Sequence, residues 1–142
     1  MTFALDPRLA EDTVPVYSWE LCLVRLMNER AYPWLVLIPR RAAAHEIHDL
    51  NAADRAQLMV EVNRASQALA EIYRPDKINV AALGNLVPQL HVHVIGRTRS
   101  DPAWPDPVWG KQPRTPYDEG ELIGQREVLR AVLGLAQEFE GA

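Results

Sequence analysis

Gln89-Leu90-His91-Val92-His93-Val94-Ile95, followed at once by Gly96-Arg97, sets three nitrogen-bearing side chains at every second position between branched apolar ones. Successive side chains of a β-strand point to opposite faces. As a strand, the segment puts Gln89, His91 and His93 on one face. Leu90, Val92 and Val94 fall on the other, a buried underside that fixes the register of the polar row. Two imidazoles held side by side on a rigid strand suit attack on, or proton donation to, a charged substrate near neutral pH.

Working outward, Gly84-Asn85-Leu86-Val87-Pro88 is short enough to turn a hairpin between strands at Lys77–Leu83 and Gln89–Arg97. Upstream, Asn51 can cap a helix with Asp54 as a capping-box-like partner, and Leu58, Val62, Ala65, Leu69 and Ile72 recur at helical spacing. Pro75 disfavours helical geometry at Arg74 and ends it. Before a connection at Arg40–Leu50, strands at Glu20–Met27 and Tyr32–Ile38 make a first hairpin across Asn28–Ala31, and the residues before Glu20 read as irregular. Beyond the polar row, residues 100–117 are rich in proline and carry Trp104 and Trp109, a composition that excludes a regular helix. Val128, Val132, Leu135 and Phe139 then mark an amphipathic helix over about residues 119–139. Strand, strand, helix, strand, strand, helix is an α+β order with an antiparallel sheet.

The 142 residues fit one domain, with its core over about residues 18–99. A hydrophobic content of 48% and a charged content of 24% are those of an ordinary globular protein, and no apolar run suggests a membrane span. The first residues lack the charged start and apolar run of a secretory signal. Cys22 stands alone, which excludes an internal disulfide and fits a reducing, cytoplasmic setting. A net charge of −4 argues against capture of nucleic-acid polymers, whose backbones want a basic face. Small phosphate ligands need only a few donors in a cleft.

His91 and His93 alone leave three readings open. They could be solvated strand histidines without a task, two ligands of a metal, or catalytic groups. Tetrahedral zinc needs a third and usually a fourth ligand, and no carboxylate or thiol follows the pair at metal-site spacing. His45 and His48, the other histidines, read as surface residues of the connection.

The full string resembles the histidine triad (HIT) motif, His-φ-His-φ-His-φ-φ with φ apolar, except that Gln89 stands at the first histidine position. Asn28 after a first strand, the intervening helix and the glycine turn before the motif follow the family's order, so the resemblance covers roughly residues 20–97. It implies a HIT-like fold with about five strands, a central helix and a C-terminal helix. It also implies a homodimer that acts at the α-phosphate of dinucleoside polyphosphates or related nucleotide conjugates, without a cofactor or an obligatory metal. His91 inherits the role of nucleophile and would form a nucleotidyl-histidine intermediate. His93 would donate to phosphate or leaving-group oxygen. Gln89 keeps the main-chain carbonyl that fixes the nucleophile's tautomer, and its amide could donate to a phosphate oxygen but cannot become cationic. Gly84 and Asn85 correspond to the phosphate-contacting turn, where Leu86 stands in place of a frequent hydroxyl residue, and Asn28 to a residue that reaches ribose or phosphate. Trp104 and Trp109 are read as anchors of their loop on the domain or a partner subunit. The rival readings are a purine nucleotide-binding module without catalysis, prompted by Gln89 and the sparse polarity of residues 84–88, and a nucleotidyltransferase or phosphoramidase.

Overall fold

Asp6 starts the first element: its Oδ1 accepts the Arg8 N–H at 2.8 Å, and Pro7 occupies the first helical turn. The computed structural model describes residues 2–141, with side chains through residue 136, so Phe139 lies outside the described side chains. In chain order it contains α1 (Pro7–Asp12), β1 (Thr13–Ser18), β2 (Cys22–Met27), β3 (Trp34–Pro39), a 3-10 turn (Ile47–Asp49), α2 (Ala52–Tyr73), β4 (Lys77–Ala81), β5 (Val92–Arg97) and α3 (Glu119–Gly141). The strands form a single sheet in the order β1-β2-β3-β5-β4, and every neighbouring pair is antiparallel. This is the expected α+β architecture.

The residues before Glu20 are not irregular. They form α1 and the edge strand β1, which Pro15 disguises in the sequence. Proline lacks the N–H of a ladder and is tolerated only at an edge or a bulge. Here it has both, because the β1–β2 register shifts between Pro15 and Tyr17.

Strand alternation divides the core. Leu35 and Leu37 of β3, with Leu90, Val92 and Val94, face a layer built from Leu58, Val62, Ala65 and Leu69 of α2. The opposite face carries Trp34, Val36, Ile38 and Ile95, covered by Leu9 and by Ala103 and Val108 of the proline-rich loop. Asn51 caps α2 as expected, its Oδ1 accepting the Asp54 N–H at 2.8 Å. The Asp54 carboxylate does not reach back to Asn51 but binds Arg41 at 2.7 Å and 3.1 Å. Arg74 closes the helix at φ 49, immediately before Pro75.

The C-terminal helix is present, with a different buried face. Leu129 and Leu133 are fully buried, whereas Val128 and Leu135 stay about half exposed. Two apolar stripes overlap on α3, and the one chosen brings Gly134 against Tyr17, where a Cβ would meet the phenol oxygen at 3.3 Å. The second hairpin is also shorter than its pattern, since β4 ends at Ala81 and β5 begins at Val92. Residues 82–91 form an irregular connection in which Gly84 takes φ 78, a conformation that favours glycine.

Candidate functional site

The polar row straddles the start of β5. His93 lies within the strand opposite Val36, while His91 and Gln89 precede it. The alternation nevertheless continues, so the two imidazoles sit side by side with ring centroids 4.8 Å apart at an edge-to-face angle of 74°. Both are buried, at 6% and 5% exposure, which removes the reading of two solvated strand histidines.

The partners of each ring define its tautomer. Nδ1 of His91 lies 2.7 Å from the main-chain oxygen of Gln89. A carbonyl only accepts, so Nδ1 carries the proton and Nε2 keeps a free lone pair. The Trp34 indole N–H donates to Nδ1 of His93 at 3.0 Å. An indole N–H only donates, so the His93 proton resides on Nε2. Burial, with the neighbouring His91 as the smaller cause, lowers the His93 pKa to about 3. His93 is therefore a neutral donor across the physiological range.

A cleft of about 350 Å³ opens over both rings. Leu9 and Asp12 line it from the N-terminal region, Met27 and Trp34 from the first hairpin, Leu83 to Val87 from the irregular connection, and Trp109 from the proline-rich loop. Gly84 and Asn85 thus meet His91 and His93 at one cavity. Among the described residues, the backbone N–H groups of residues 84–87 donate to no main-chain acceptor. A second pocket of about 180 Å³ shares His91 and is bordered by the exposed His45 and His48. No group of three or more His, Cys, Asp or Glu side chains able to hold a metal ion occurs among the described residues.

Two of the candidate residues are engaged elsewhere. The Asn28 side-chain Oδ1 accepts the Tyr117 N–H at 3.0 Å, and Asn28 does not line the cleft. The Gln89 side chain turns to the N-terminal segment, its Oε1 accepting the Asp6 N–H and its Nε2 donating to the Ala4 carbonyl, both at 2.8 Å.

Trp34 and Trp109 also line the cleft, Trp34 without any signal of that role in the sequence and Trp109 expected only as an anchor of its loop. Trp109 stacks edge-on against His93 at 5.0 Å and against Trp34 at 5.7 Å. Trp109 thus packs its loop against the domain as expected, and Asp101 anchors the same loop: its carboxylate binds Arg97 at 2.8 Å and 3.0 Å and accepts the N–H groups of Thr98, Ala103 and Trp104. Trp104 lies against the Arg97 guanidinium, 5.9 Å from ring centroid to carbon. The sequence places Trp34 on a strand, but the side-by-side packing of the two hairpins that brings it to His93 is not written in either hairpin.

An open antiparallel sheet with a tautomer-fixed histidine pair at the mouth of one strand defines the class. The HIT domain model matches residues 8–100, and the chain belongs to the HIT domain family. It is similar to the crystal structure of a histidine triad protein from Bradyrhizobium japonicum, with 47% identity, coverage of 94% of this chain and 99% of that one, and a TM-score of 0.91. A histidine triad protein from Marinobacter aquaeolei VT8 shows 43% identity, coverage of 96% and 99%, and a TM-score of 0.93. A HIT protein from Sinorhizobium meliloti 1021 shows 44% identity, coverage of 90% and 95%, and a TM-score of 0.88. No curated protein matches the chain. Among the described residues, no helix is long and apolar enough to cross a membrane.

Proposed function

We propose that the protein is a nucleotide hydrolase or nucleotidyltransferase that works through a covalent intermediate on His91. The observation that carries this reading is the pair of opposed tautomers, with a lone pair on Nε2 of His91 and a proton on Nε2 of His93. Nε2 of His91 attacks the α-phosphorus of a nucleotide conjugate and forms a P–N bond as the bond from phosphorus to the leaving group breaks. The neutral His93 N–H and the main-chain amides of residues 84–87 donate to oxygen atoms where negative charge gathers. Water, or an acceptor hydroxyl or amine, then cleaves the P–N bond, regenerating His91 and releasing the nucleotide. No metal is needed to balance either step.

Dinucleoside polyphosphates and related conjugates both present such an α-phosphate. The composition of the cleft favours conjugates with few phosphates, such as nucleoside phosphoramidates, over long polyphosphates. Its described lining is mainly apolar, contains Asp12 and includes neither Lys nor Arg. Action as a cytoplasmic homodimer completes the proposal. The test is a panel of diadenosine polyphosphates and adenosine phosphoramidates, incubated with protein and a chelator and read by mass spectrometry. Turnover by wild type that is lost in His91→Ala supports the enzyme; nucleotide affinity without turnover assigns a binding module. Light scattering at micromolar concentration decides the dimer.

A further inference from the structure

Gln89 stands where the HIT pattern carries its first histidine, yet both ends of its side chain serve the N-terminal segment. Three residues earlier, the Leu86 carbonyl accepts Nη1 of Arg8 at 2.8 Å. Arg8 is in turn gripped by Asp6, whose carboxylate accepts Nε at 3.2 Å and Nη2 at 3.0 Å. The Arg8 ion pair holds the Asp6 carboxyl below its ordinary range. Residues 4–8 are therefore fastened at Leu86, inside the stretch of residues 84–87 that lines the cleft, and at Gln89, two residues beyond it. The amides of residues 84–87 donate to no main-chain acceptor among the described residues, so the turn's own backbone does little to fix its shape.

We propose that Arg8 and Gln89 are positioning residues that, through the N-terminal segment, hold the turn of residues 84–89 against His91 and set how tightly the cleft grips an anionic ligand. This gives the departure from the histidine pattern a physical content. A carboxamide carries its donor and acceptor side by side, and so pairs with the Asp6 N–H and the Ala4 carbonyl together. The two nitrogens of an imidazole point apart. The exchange trades a titratable group for an anchor while keeping the main-chain oxygen on which Nδ1 of His91 depends.

The choice of ligand, though not the positioning itself, rests on the proposed nucleotide chemistry. The experiment compares wild type with Arg8→Met, Asp6→Asn and Gln89→Met, measuring AMP affinity by calorimetry, KM and kcat on an adenosine phosphoramidate, and NMR signals of the Asp6 amide and the His91 ring. Each variant is expected to weaken AMP binding about five- to tenfold, roughly the net contribution of one ordinary hydrogen bond. KM rises with kcat within about twofold in Arg8→Met and Asp6→Asn, the sign of lost uniform binding. The Asp6 amide exchanges faster and the His91 ring signals shift. Two results overturn the proposal. Weaker binding in Arg8→Met but not in Asp6→Asn would mean that Arg8 touches the ligand directly. Faster Asp6 exchange with unmoved His91 signals and unchanged affinity would leave a purely structural clasp. If wild type binds no AMP, the nucleotide reading falls, and the His91 signals alone decide the positioning.

Discussion

The indole N–H of Trp34 donates to Nδ1 of His93 at 3.0 Å, so a side chain from one hairpin dictates the proton position on a ring from the other. Trp34→Phe keeps the aromatic packing and removes the donor. Leaving the buried Nδ1 unsatisfied is expected to cost about 1–3 kcal/mol of stability. With the tautomer released, kcat should fall about tenfold or more, equivalent to roughly 1.4 kcal/mol in the barrier. Denaturant unfolding and steady-state kinetics on the same samples check both.

His93 makes acid stability informative. Its pKa is about 3 in the folded protein against an ordinary 6.5. Above pH 6.5 neither state binds the proton. Between pH 6.5 and 3 the unfolded chain takes up a proton that the folded site refuses, so stability falls with pH by up to about 1.4 kcal/mol per unit from this group. Below pH 3 its contribution levels off. His93→Gln should flatten the slope relative to wild type over that window, as measured by urea unfolding at a series of pH values.

The Arg97–Asp101 pair ties the sheet to the loop that carries Trp109. Their side chains are only 2% and 4% exposed. Asp101→Ala strands a buried guanidinium and should cost about 3–5 kcal/mol. Since three loop amides lose their acceptor as well, Trp109 should loosen from His93, which quenching of tryptophan emission by acrylamide would detect.

Gly96 is required for space rather than for its backbone angles. A Cβ there would stand 2.9 Å from Cγ of Pro33, in a rigid ring. Gly96→Ala is expected to cost about 1–3 kcal/mol by overpacking, and Pro33→Ala in the same chain should recover part of it. A thermal-unfolding comparison of the two single variants and the double variant measures the recovery.

Much of this fold was legible because its decisive segments obey simple periods. Leu90, Val92 and Val94 went to the core as alternation required, and Asn51 and Pro75 bounded α2 as their chemistry dictates. The misreadings have equally local causes. Pro15 hid an edge strand, and α3 offered two apolar stripes between which only the shape of β1 and α2 could choose. The site was half legible. His91, His93, Gly84 and Asn85 converge on one cleft, but Asn28 is taken by Tyr117 and the Gln89 amide by residues 4–6. Trp34 and Trp109 reach His93 through pairing between hairpins and through a proline-rich loop, relationships that no spacing along the chain encodes.

In the proposed reaction Nε2 of His91 forms a bond to phosphorus. Rapid mixing with an adenosine phosphoramidate, followed by a denaturing quench at alkaline pH and peptide mass spectrometry, tests it most directly. An acid-labile adenylyl adduct is expected on the peptide containing His91, present in wild type and missing from His91→Ala. Turnover by wild type at full rate with no adduct on His91 at any quench time, or an unchanged rate in His91→Ala, would contradict it.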